Sequence, residues 1–155
     1  MSKTSPPPIS FDMLPGHYMR RLQQIAVAIF LQETQAFGIT PIQYATIGAL
    51  AKKPNMDQKT LAKTIGLDAS TIGGVIDRLQ SRNLVQRNPS NHDRRVHLLT
   101  LTNAGLDLFN EVSPLVIAAQ NRILAPLPES QHIQFMQMLQ TLVSGNNELS
   151  RAPTR

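Results

Sequence analysis

The stretch Asp93-Arg94-Arg95-Val96-His97-Leu98-Leu99-Thr100-Leu101-Thr102-Asn103-Ala104-Gly105 holds three local signals in a row. It opens on a charged, turn-forming tip, passes into an apolar run of strand composition, and reaches a Thr that can cap a helix. Working backwards, Arg87-Asn88-Pro89-Ser90-Asn91-His92 is too polar for a core and rich in turn formers, while Leu84-Val85 begins another apolar run. The whole reads as a β-hairpin with a basic tip. A helix follows, started by Thr102, in which Gly105 allows close packing against the hairpin.

Residues 57–84, directly before the hairpin, read as two short helices joined by a tight turn. Asp57 is the expected N-cap of the first, Leu61, Ala62 and Ile65 its buried side, and Gly66 the reversal. Asp68 caps the second, residues 69–82, with Ile72, Val75, Ile76 and Leu79 inward. Its outward side carries Ser70, Thr71, Gly74, Asp77, Arg78 and Ser81. Small hydroxyl residues at a helix start, at the positive end of the helix dipole, suit approach to base edges and phosphates. Gly73-Gly74 costs about 1 kcal/mol per Gly relative to Ala inside a helix. Close approach of the backbone to DNA and tight packing against the preceding helix explain that pair equally well. Asn83 can take the left-handed conformation that ends the helix.

Helix, turn, helix and hairpin in this order predict a mainly α fold with a small β-hairpin wing, a winged helix-turn-helix lobe. Candidate DNA contacts are Gln58, Ser70, Thr71, Gly74, Arg78, Asn88, Arg94 and Arg95. Adjacent arginines at a hairpin tip suit a narrow minor groove. The preferred assignment sends Arg94 to DNA and Arg95 to Asp93; the reverse stays open.

Charge follows the same division. The 155-residue chain carries a formal net charge of +5, from 15 Lys plus Arg against 10 Asp plus Glu. Residues 52–95 hold nine of the cations and four of the acids, which is the entire excess, and the remainder balances. A polyanion is the implied partner, and an ordinary solvated basic face is the plain alternative. With no cysteine, disulfides, thiolate metal sites and thiol redox sensing are excluded. His17, His92, His97 and His132 lack metal-ligand spacing, so neither a metal nor a cofactor is expected. Lys3 and Pro6-Pro7-Pro8 stand where a signal peptide needs an apolar run, and the longest such run, residues 25–31, is too short to span a bilayer. A cytoplasmic protein without membrane contact is therefore expected. No nucleophile-base set, phosphate-binding glycine loop or paired carboxylates stand out, so an enzyme is not expected.

Outside the lobe, residues 2–8 read as an extended Pro-rich arm. Leu14, Tyr18, Leu22, Ile25, Ala28 and Ile29 recur at helical spacing over residues 14–36, and Phe37-Gly38 supplies a stop. A second helix starts near Thr40-Pro41, turns Tyr44, Ile47 and Leu50 inward, and ends before Pro54. After the hairpin, Leu108, Val112, Leu115, Val116, Ala119 and Ile123 form one long stripe, and Phe135, Met136, Leu139, Leu142 and Val143 another. A small lobe with long helical arms cannot easily cover both stripes with one copy of the chain. Pro114 removes one backbone hydrogen bond and should bend its helix, either to shape an interface or cavity or simply to follow the core.

The pattern resembles the MarR family of transcriptional regulators. Its wing signature, Asp-x-Arg followed by Leu-Thr-x-x-Gly, is matched by Asp93-Arg94-Arg95 and Leu101-Thr102-Asn103-Ala104-Gly105. Leu61-Ala62, Val75-Ile76-Asp77-Arg78-Leu79 and the element order over residues 14–150 extend the resemblance. Asn83 departs where Gly is common, and Thr60 where a Glu often completes the helix start; neither threatens the fold. The resemblance implies a homodimer with the first, fifth and sixth helices interleaved. The corresponding division is an arm over residues 1–13, one domain over 14–150 and a tail over 151–155. Within that domain the DNA lobe spans 40–103, and the dimerisation helices span 14–37 and 104–150.

Members of such a family commonly respond to small molecules, often aromatic acids, held between the dimer helices and the DNA lobe. His17-Tyr18-Met19-Arg20-Arg21 is the local clue, because Arg21 falls on an apolar stripe and shares a face with His17. A guanidinium beside apolar walls needs an anionic partner. A ligand carboxylate gripped by Arg21 with His17 or Tyr18 is one answer; an ion pair within the protein or a solvated helix end is the other. Tyr44, Ile47, Gly48, Phe109 and Val112 are candidate pocket walls. The expected function is a ligand-responsive regulator, a repressor on a palindromic double-stranded DNA operator released by a small aromatic carboxylate, controlling aromatic-acid degradation or efflux genes. The alternative is a winged-helix module that binds protein without specific DNA binding.

Overall fold

The structure, a computed structural model, describes residues 10–93 and 95–153. The Pro-rich arm at residues 2–8 and the wing residue Arg94 lie outside the described residues. A single 3-10 turn, Phe11–Met13, leads into α1 (Pro15–Glu33), so the arm expected over residues 1–13 ends in ordered backbone. Six α-helices then follow the expected order: α2 (Pro41–Lys52), α3 (Gln58–Ile65), α4 (Ala69–Ser81), α5 (Asn103–Leu124) and α6 (Glu129–Gly145) after α1. The fold is mainly helical with a small antiparallel sheet, as the pattern predicted.

Helix starts obey local chemistry. Thr40 accepts the Gln43 backbone N–H at 3.2 Å while Gln43 Oε1 accepts the Thr40 N–H at 3.0 Å, a reciprocal cap with Pro41 in the first turn. Thr102 Oγ1 accepts the Gly105 N–H at 3.0 Å and opens α5. Gly66 at φ 71° and Asn83 at φ 56° take the left-handed conformation that ends α3 and lets the chain leave α4. α1 stops at Glu33, earlier than its apolar spacing suggests, because the buried Thr34 hydroxyl donates back to Phe30 O at 2.9 Å and a 3-10 turn follows.

The sheet holds one strand more than the hairpin. β2 (Val85–Pro89) and β3 (His97–Leu101) pair antiparallel, with Arg87 opposite Leu99. β1 (Met56–Asp57) pairs with the other edge of β3, Met56 opposite Leu99 and Asp57 opposite Leu98. Two residues show no alternation, so β1 had no signature of its own. The core gathers Ile47, Leu50, Leu61, Ile72, Ile76, Leu79, Leu99 and Val112 from α2, α3, α4, β3 and α5, all essentially solvent-free.

Burial divides the long helices unevenly. Val112, Val116 and Ala119 of α5 are buried within their own chain, so the α5 stripe needs less help than its length implied. The start of α1 and the whole of α6 behave otherwise. Tyr18 is 60 % exposed, Ile25 47 % and Val143 67 %, and no residue of α6 is fully buried, with His132, Phe135 and Leu139 half-buried. Among the described residues no helix is long and apolar enough to cross a membrane.

Candidate nucleic-acid interface

The outward side of α4 presents Ser70, Thr71, Gly74 and Arg78, all exposed. Its start is built by Asp68, whose carboxylate accepts the Thr71 backbone N–H at 2.9 Å, the Thr71 hydroxyl at 2.7 Å and the Ser70 hydroxyl at 2.5 Å. These bonds, the Ser70 hydroxyl foremost, hold the Asp68 carboxyl far below the usual carboxylate range. Both hydroxyls thus donate inward, and each must swing off Asp68 before it can donate to a phosphate. α3 repeats the device: Asp57 accepts the Thr60 N–H at 2.8 Å and the Thr60 hydroxyl at 2.7 Å, which lowers its pKa. Thr60, where a Glu would complete a capping box, therefore completes the cap with its hydroxyl.

Gln58 and the glycine pair meet between the two helices. The half-buried Gln58 side chain donates to Ala69 O at 3.2 Å, and a Cβ on Gly73 would lie 3.2 Å from Gln58 Nε2. Gly74 faces open space. The pair thus divides: Gly73 makes room for α3, and Gly74 leaves bare backbone on the exposed side.

The wing is tied down at its base and its turn. Arg87 of β2 bonds Asp77 of α4 at 2.6 Å and also reaches Gln80. Asn88 Nδ2 donates across the hairpin to Thr100 Oγ1 at 3.1 Å. Asp93 Oδ1 accepts the Arg95 backbone N–H at 2.9 Å, so Asp93 meets Arg95 through the main chain. Every acid of the basic region is thereby engaged, by hydroxyls, by an arginine or by a backbone amide. Lys52, Lys53, Lys59, Lys63, Arg78 and Arg95 stay exposed and form no ion pair among the described residues. Net positive potential is the consequence.

Sequence reasoning missed Arg87 and Arg82. The Arg82 guanidinium donates to Phe37 O and Gly38 O, each at 2.9 Å, and joins the end of α4 to the turn between α1 and α2. Neither residue carries a local signal, since each meets its partner only after the helices pack. The repeated Asp-x-x-Thr of Asp57/Thr60 and Asp68/Thr71 was legible as a motif.

The residues expected at a ligand site fall into two groups. Tyr18 and Arg21 line an apolar groove of about 480 Å³ between α1 and α6, with Leu22, Ile25, Phe135 and Leu139; Arg21 is its one charged lining residue. His17 lies beside it, its ring edge-on to Phe11 at 5.3 Å and to Tyr18 at 5.5 Å. Tyr44, Ile47, Gly48, Phe109 and Val112 gather instead between α2 and α5. There Tyr44 stacks on Phe109 at 5.6 Å and its hydroxyl meets Ser113 Oγ at 3.1 Å. Ile47 and Val112 are fully buried, and a Cβ on Gly48 would lie 3.3 Å from the Phe109 ring.

A sequence model described as the MarR family matches residues 37–96. The HTH-type transcriptional repressor NicR of Pseudomonas putida is 28% identical over 151 residues, covering 93% of this chain and 96% of its own. The PcaV transcriptional regulator of Streptomyces coelicolor, solved with its natural ligand, matches at a TM-score of 0.79 and 30% identity over 88% of this chain and 96% of that one. BpsR of Bordetella bronchiseptica, whose DNA binding is described as regulated by 6-hydroxynicotinic acid, matches at 0.82 and 29% over 87% and 96%. A helix-turn-helix with a tied-down wing and a basic surface defines a winged helix-turn-helix DNA-binding protein. The chain belongs to the MarR family of transcriptional regulators.

Proposed function

We propose that the protein works as a homodimeric repressor on an approximately palindromic operator, released by a small aromatic carboxylate. The observation that carries the dimer is α6, a 17-residue helix none of whose residues is fully buried in its own chain and whose Ile133, Met136, Met138, Leu142 and Val143 stay exposed. Apolar surface on that scale is stabilised by association, and a second copy supplies matching faces on α1 and α6. Two reading heads related by a two-fold axis then place each α4 in a major groove and each wing in the flanking minor groove, one helical turn apart.

The effector class rests on Arg21. Arg21, an exposed residue, is the one charged residue lining a groove otherwise walled by apolar and aromatic side chains such as Tyr18, Leu22 and Ile25, a composition that suits a carboxylate at one end and an aromatic ring along the walls. The aromatic acid named for BpsR, and the repressor name of NicR, support that reading. Binding acts by favouring a spacing of the reading heads that no longer fits DNA, which requires different affinities for the two states.

Fluorescence anisotropy on DNA from the protein's own upstream region, over a salt series with and without benzoate or a hydroxynicotinate, tests this. Tight, salt-sensitive binding that the acid releases is expected. Absence of sequence-preferring binding at every salt concentration would overturn it in favour of a protein-interaction module.

A further inference from the structure

One turn of α5 is loosened twice. Pro114 lies inside the helix and has no N–H to give the carbonyl of Asn110. Its neighbour Ser113 adds a second disturbance, because its hydroxyl donates back to Phe109 O at 2.6 Å. Helices bend at such places. The turn also divides α5 by what it packs against. Val112, just before it, lies in the core with Ile47, Ile76 and Leu99 of the DNA lobe. The part after it runs along α1, where Arg122 pairs with Glu33, and leads on to α6.

Tyr44 of α2 reaches this turn from outside. The single Ser113 hydroxyl proton is committed to Phe109 O, so the 3.1 Å bond between the two hydroxyls is donated by Tyr44. A relay therefore runs from α2 through two hydroxyls into the backbone of α5. The Tyr44 ring is held in place for it, stacked on Phe109 at 5.6 Å and 22° and tilted against Phe30 of α1 at 6.2 Å. Tyr44 and Ser113 are half-buried, which shields the bond from competing water.

Resting on the reading of the protein as a dimeric DNA-binding regulator, we propose that Tyr44 is a positioning residue for operator recognition. Its hydroxyl fixes the bend of α5, and the bend sets the angle between the DNA lobe and the dimer helices. A two-fold axis repeats that angle in both copies, so it sets the separation and twist of the two α4 helices. Packed between α1 and α5, Tyr44 bears on half-site spacing and not on the identity of the bases.

The test uses the full chain without effector. Because the protein has no cysteine, Lys63→Cys on the exposed side of α3 gives one spin-label site per chain. Pulsed electron paramagnetic resonance of the dimer then reads the distance between the two heads. Tyr44→Phe keeps the ring stack and removes only the hydroxyl; it is expected to broaden that distance distribution while circular dichroism and sedimentation report a folded dimer. On the operator in the protein's own upstream DNA, one base pair inserted between the half-sites turns one against the other by about 35°. Tyr44→Phe is expected to shrink the preference for native over altered spacing by about three- to tenfold. Ser113→Ala should do the same, the double variant no more than either single one, and Ser113→Thr should restore the preference. An unaltered distance distribution, an equal loss of affinity at every spacing, or additive single effects overturns the positioning role while operator binding stands. If the unsubstituted protein is a monomer or binds no upstream DNA, the regulator reading fails and the positioning role with it.

Discussion

Gly105, in the first turn of α5, lies so close to the start of β2 that a Cβ built on it would stand 2.1 Å from the Leu84 carbonyl oxygen. Thr102 completes the contact, its backbone N–H donating to the same oxygen at 3.1 Å and its hydroxyl to Asn83 O at 2.7 Å. The long helix that leads out of the DNA lobe is thus anchored to the base of the wing by a cap and a missing side chain.

Gly105→Ala must push α5 off β2, an overpacking that costs about 1–3 kcal/mol. Urea denaturation is expected to show a lower midpoint, with weaker DNA binding because the wing base moves. An unchanged midpoint would mean that the two elements slide apart freely.

Acid should weaken the lobe through its two caps. Asp57 and Asp68 have folded pKa values below the ordinary 3.8. Each therefore contributes stability in full above that value and loses it as pH falls through 3.8 toward the folded value. Asn also caps helices but carries no charge. Asp68→Asn is therefore expected to lower the melting temperature near neutral pH, with the gap closing as the pH drops below the carboxylate range. A gap independent of pH would refute a charged cap.

The Arg82 fork spans two carbonyls in the turn between α1 and α2. Arg82→Ala should cost about 1–2 kcal/mol in urea denaturation, given charged donors at an exposed site. Lys lacks the fork, so Arg82→Lys should recover less than half. Full recovery by Lys would reduce the contact to simple charge.

Leu139 faces the groove between α1 and α6. Leu139→Glu is expected to shift sedimentation from dimer to monomer while circular dichroism keeps the helices of the DNA lobe, since Leu139 is only half-buried in a single chain and takes no part in the core of that lobe. A variant that remains dimeric would move the interface elsewhere.

Arg21→Ala should leave operator affinity within about twofold and abolish release by aromatic acids, consistent with removal of a charge-assisted carboxylate contact. Normal release would place the carboxylate clamp on another residue.

Caps and turns were legible because their partners lie within four residues along the chain: Asp57 with Thr60, Asp68 with Thr71, Thr102 with Gly105, and the left-handed Gly66 and Asn83. Backbone geometry at such distances depends on residue type alone, and it was enough to order the helices and the wing. The cationic excess over residues 52–95 was legible for the same reason, since charge needs only composition.

Packing decided the rest. Met56 finds Leu99 and Arg82 finds Gly38, the latter 44 residues away, only when several helices have already docked. Asp77 meets Arg87 in the same way. Periodicity marked one side of α1 and of α6 as apolar, but it carries no information about what lies opposite. The tertiary structure shows that the Val112-Val116-Ala119 stripe of α5 is covered by its own chain, whereas the start of α1 and most of α6 remain open, because burial is a property of two surfaces and a helical repeat describes one.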